Sequence, residues 1–93
     1  MRIDSLNKFV TISIDTKWSG DSAPYTKELT IEGIEDTDIV NIYPIWSENI
    51  DTRKNEKNEY NKISMCESIQ NGIKLTCDNS APTMNLTIRV EVL

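Results

Sequence analysis

The chain contains no histidine among its 93 residues. That removes the commonest general base, and with it Ser–His and Cys–His catalysis and the usual zinc ligand. Two cysteines are too few for a four-thiolate zinc site. Three scattered glycines build no phosphate-cradling loop. No run of 18 apolar residues occurs, so no helical membrane span is expected. Met1–Arg2–Ile3–Asp4 is not followed by an apolar stretch, so the reading is no secretory signal and a chain made in a reducing cytosol.

Positive charge is also in short supply. Ten bases stand against 15 acids, a net charge of −5. A general nucleic-acid binder needs cations to displace counterions from phosphate, and an anionic membrane surface needs them too. Neither partner is expected. Solubility is the plain reading of the excess acid.

What remains is alternation. Val10, Ile12 and Ile14 take one face of a strand over Phe9–Asp15, with Thr11 and Ser13 on the other. Tyr25–Glu32 sets Tyr25, Lys27, Leu29 and Ile31 on one side. Ile39–Trp46 sets Val40, Ile42 and Trp46 against Ile39, Tyr43 and Ile45. Pro44 has no N–H to give a neighbour, which places that strand at a sheet edge or breaks it there. Ile63–Gln70 and Ile73–Asp78 flank Asn71–Gly72, a hairpin signal. Met84–Leu93 closes the chain with the clearest alternation. Asp51–Lys62 is almost wholly polar, and Asp51 suits a helix N-cap, so a short surface helix is expected around residues 51–62. Several short alternating strands separated by turns predict one mainly-β domain. It is a sandwich of about six to seven antiparallel strands over residues 9–93. Residues 1–8 read as a linker or tail.

The hairpin register decides what the cysteines do. A two-residue turn at Asn71–Gly72 would set Cys66 opposite Cys77, within disulfide reach, but would split the apolar residues between two faces. A three-residue loop with Gly72 left-handed puts Ile69, Met65, Ile73, Leu75 and Cys77 on one face. Burial of several large side chains, about 1.5–3 kcal/mol each, outweighs a short-loop disulfide of about 3 kcal/mol. The expectation is two free thiols on opposite faces, Cys77 inward.

No metal or cofactor is expected. Glu32, Glu35, Asp36 and Asp38 cluster at one turn, but without the spacing of a calcium loop, and read as a solvated turn. Asn85–Leu86–Thr87 matches the glycosylation triplet but lies inside a strand. Trp18 and Tyr25 are expected to pack across the loop between the first two strands. Trp46, at a strand end past Pro44, is the first choice for an exposed contact residue, with Tyr43 beside it.

Trp18-x-Gly20, Pro24–Tyr25, an alternating strand and Gly33, followed by the hairpin glycine Gly72 and a closing strand, form an ordered packing motif. The motif, over about Val10 to Val92, resembles a small β-rich module of phage and prophage structural proteins from Gram-positive bacteria. That module often ends tail, baseplate or head-fibre proteins. The resemblance implies a non-enzymatic virion protein. Its partners would be other virion proteins or a host-surface glycan or protein, and it could form a homotrimer. It carries over no catalytic residue. Two other readings stand beside it. One is a small acidic inhibitor that mimics nucleic acid, drawing on Glu28, Glu32, Glu35, Asp36 and Asp38. The other is a carbohydrate-binding module using Trp46 or Tyr43.

Overall fold

A computed structural model describes Arg2, Ile3 and residues 8–93. Six strands and one helix follow in the order β1 (Phe9–Ile14), β2 (Tyr25–Thr30), β3 (Val40–Ile45), α1 (Ile50–Tyr60), β4 (Met65–Ile69), β5 (Gly72–Cys77) and β6 (Leu86–Val92). They form two antiparallel sheets, β1-β6-β3 and β2-β5-β4. The sheets stack into a sandwich whose shortest Cα extent is 17 Å. Two layers about 10 Å apart fit that thickness.

Alternation fixes which side of each sheet turns inward. Ile12, Ile14, Leu86, Ile88 and Val90 from one sheet meet Ile73 and Leu75 from the other, with Ile3, Ile31 and Ile34 completing the core. Each large apolar side chain so buried contributes about 1.5–3 kcal/mol. The two central strands, β5 and β6, are the most buried, as their flanking neighbours dictate.

The sequence placed Ile3 in a tail. Instead it is buried, and its N–H donates to Glu32 O at 2.7 Å. The apolar side chain fills the end of the sandwich beside Gly33. A Cβ on Gly33 would lie 1.9 Å from Ile3 O. The remainder of the expected tail, residues 1 and 4–7, lies outside the described residues.

The hairpin register differs from the expected one. The loop is Gln70–Asn71, and Ile69 pairs with Gly72, Ser68 with Ile73 and Cys66 with Leu75. Asn71, not Gly72, adopts the left-handed backbone, with φ 61°. Long-range contacts override the local preference. Ile31 N–H donates to Asn71 O at 3.0 Å, and Asn71 N–H donates to Ile34 O at 2.8 Å. Gly72 is needed for another reason: a Cβ there would lie 2.3 Å from Leu29 O on β2. Ser68 turns inward and donates to Asp38 O at 2.6 Å, tying β4 to the turn before β3. Met65 is left exposed and Ile69 half-buried, on the outer face.

Both thiols are free, as expected, but they share the inner face. Cys66 opposes Leu75, so Cys77 is its diagonal neighbour. Diagonal positions lie about 7–8 Å apart, beyond disulfide reach.

Helix α1 begins one residue earlier than expected. Its cap is Asn49, whose Oδ1 accepts from Thr52 N–H at 2.9 Å; Asp51 lies in the first turn. The helix has almost no apolar stripe beyond Tyr60, which packs against the core, and carboxylates add to its docking. Glu56 is buried and accepts from Ser47 N–H at 2.8 Å and Ser47 Oγ–H at 2.9 Å. Glu59 accepts from Thr83 N–H and Oγ1–H at 2.6 and 2.7 Å, and from Lys62 at 2.9 Å. No helix among the described residues is long and apolar enough to cross a membrane.

Candidate interaction surface

The outer face of β1-β6-β3 carries side chains that the core did not take. Register sets them in rows: Phe9, Glu91 and Asn41; Thr11, Arg89 and Tyr43; Ser13, Thr87 and Ile45. Leu93 N–H donates to Ile39 O at 2.9 Å and extends the ladder by one further row. Phe9, Tyr43 and Ile45 are 46%, 45% and 40% exposed; Ile39 and Leu93 are more so.

Arg89 organises the middle of this face. Its guanidinium carbon sits 3.9 Å from the Phe9 ring centroid, within cation–π range. Its Nε lies 2.7 Å from Glu91 Oε2, as an ion pair out of line for a hydrogen bond. The one cation and one anion of β6 on this face therefore neutralise each other. The result is a face without net charge, on which Phe9, Tyr43 and Ile45 stand among Thr11, Ser13, Asn41 and Thr87, in a chain of net charge −5. Such a surface can bind apolar or planar groups, with Arg89 and the Tyr43 hydroxyl giving direction.

The two residues singled out from the sequence are not brought together. Tyr43 lies on the outer face. Trp46 is three residues on, an odd step, and turns to the other side. It is half-buried rather than exposed, edge-on to Tyr60 with ring centroids 5.8 Å apart and planes at 87°. Lys57 Nζ lies 5.8 Å from its ring centroid. The helix that follows β3 covers it, which strand alternation could not show. Phe9, Ile45 and Arg89 were missed. For Phe9 the signal was present, since it shares the polar phase of β1 with Thr11 and Ser13; Ile45 lies in a strand apolar on both phases.

Trp18 and Tyr25 are both half-buried. Trp18 packs against the core, and Ser19 and Thr26 exchange backbone hydrogen bonds beneath it. Gly20 has φ 123°, and a Cβ there would meet Tyr25 and the Pro24 carbonyl. Lys27 points inward, its ammonium held by the Asp15 carboxylate and the Lys17 carbonyl, 5.9 Å from the Trp18 ring centroid. The Lys27 hydrogen bond is the main cause that lowers the Asp15 carboxyl below its usual range.

Two carboxylates of the acidic turn serve local structure. Glu32 pairs with Arg2 at 3.5 Å, and Asp38 Oδ2 accepts from Glu35 N–H at 2.8 Å. Among the described residues, no three acidic, cysteine or histidine side chains converge on a metal-sized space. Burial pushes the Cys66 thiol up to about 11, aided by the Glu67 charge, so at neutral pH it is a poor nucleophile.

These features define a two-layer antiparallel β-sandwich with an outer sheet face that exposes Phe9, Tyr43 and Ile45. No family model, curated protein or solved structure matches the chain.

Proposed function

We propose that this chain is a non-enzymatic contact module of a phage virion, in the manner of a tail, baseplate, head-fibre or decoration protein. The exposed face of Phe9, Tyr43, Ile45 and Arg89 carries the reading, since it presents large side chains on a three-stranded sheet and is free of net charge. The ordered motif from Trp18 to Gly33, with its resemblance to phage structural modules, supplies the virion context. The polar chemistry favours a structural role as well. Glu56, Glu59 and Lys27 are each engaged in holding elements together. The cysteines sit between the sheets.

The partner is another virion protein or a host-surface glycan or protein that meets this face. Mass spectrometry of particles purified from cells carrying this gene tests the reading. The chain is expected at stoichiometric levels in intact particles. Its absence from them, or reproducible turnover of any substrate by the purified protein, would overturn the proposal. Tyr43→Ala is expected to weaken incorporation without lowering the melting midpoint, because an exposed side chain gives little to stability.

A further inference from the structure

We infer that two copies of this chain pair antiparallel through β1, joining their β1-β6-β3 sheets across a two-fold axis centred on Thr11. This inference does not depend on the virion reading.

The hydrogen-bond phase of β1 is fixed by its neighbour. Val92 N–H donates to Lys8 O, so the even residues of β1 face β6. Phe9, Thr11 and Ser13 therefore turn their N–H and C=O groups away from the sheet. Among the described residues, nothing bonds to them.

The other three edges are guarded. On β2, Ser19 takes both backbone groups of Thr26. On β3, Leu93 N–H bonds to Ile39 O, so Val40, Ile42 and Pro44 face outward, and Pro44 has no N–H to offer. Strand β4 is five residues long and carries Glu67. Strand β1 has six residues, Phe-Val-Thr-Ile-Ser-Ile, with no charge, proline or glycine. Such an edge is a template for another strand.

A second copy fits it. With Thr11 opposite Thr11, Phe9 faces the second copy's Ser13, and every free N–H and C=O of Phe9, Thr11 and Ser13 finds a partner. The faces also agree. Val10 meets Ile12 on the inner side, and the two outer faces merge into one surface of twice the width. Charge favours the antiparallel sense. Lys8 precedes the strand and Asp15 follows it, so each copy's Lys8 lies toward the other's Asp15, whose carboxylate also holds Lys27 of its own chain. A parallel pair would set like charges together. A three-fold ring would need β1 against the next copy's β3, where Pro44 interrupts the donors.

Light scattering or sedimentation of the full chain, from dilute to near-millimolar concentration, tests this. The average mass is expected to rise toward twice the monomer's. Thr11→Lys, which sets two cations opposite each other, and Thr11→Pro, which removes an N–H not bonded to β6, are each expected to weaken association at least about tenfold. Far-UV circular dichroism should stay native for Thr11→Lys. Under mild oxidation with diamide, Thr11→Cys is expected to form a covalent dimer, and Ser13→Cys is not. A monomer throughout the range, or a dimer indifferent to Thr11→Lys, would overturn the inference. So would equal cross-linking at both positions.

Discussion

At the scale of single residues, Gly72 shows how a local signal can be right for the wrong reason. Asn71–Gly72 reads as a turn, and a turn is there. Yet Asn71 takes the left-handed conformation, while Gly72 lets Leu29 O approach its backbone. The neighbour is main chain of the adjoining strand and cannot swing aside. Gly72→Ala is therefore expected to destabilise the fold by about 1–3 kcal/mol, measured as a lower urea midpoint. Asn71→Gly, which keeps the left-handed conformation available, is expected to change stability by less. A neutral Gly72→Ala would show that β2 and β5 are not held this close.

At the scale of elements, α1 is docked by Tyr60 and by its carboxylates together. Glu59 accepts three hydrogen bonds, and the Lys62 ammonium is the first cause that holds its carboxyl at about 2, below an ordinary value of 4.5. A carboxyl lowered on folding stabilises the fold above its unfolded value and loses that contribution as protons return. Stability is therefore expected to fall as pH drops from about 4.5 toward about 2. In Glu59→Gln the fall over that window should be smaller, and stability at neutral pH lower by about 1–2 kcal/mol. Urea unfolding across the window measures both. Equal slopes for the two proteins would place the acid sensitivity elsewhere.

At the scale of the whole molecule, the sandwich encloses Cys66 and Cys77 between its sheets. Cys77 is fully buried. Its reaction with a neutral-pH thiol reagent is expected to proceed at the rate of global opening, and Cys66, half-buried, to react sooner but slowly. Two thiols per chain should titrate in denaturant. If Cys77 reacts as fast in the native protein as it does unfolded, then β5 is not the centre of its sheet.

Much of this was legible from the residues alone. Strand positions and the two-sided pattern of β1, β2, β3 and β6 follow from a period of two, since successive side chains must point oppositely, and the edge placement of Pro44 follows from its missing N–H. The sandwich class follows from having several such strands and one polar helical segment. The β4–β5 register did not follow, because distant groups fix it: Ile31, Ile34 and Leu29 grip the hairpin tip and Ser68 reaches the turn before β3. Nor did the contact face. Trp46 looked exposed because only the folded chain brings Tyr60 of α1 against it, and Phe9, Tyr43, Ile45 and Arg89 become one surface only when β6 lies between β1 and β3. Local sterics set side-chain alternation residue by residue, whereas strand order and register come from burying several distant segments at once.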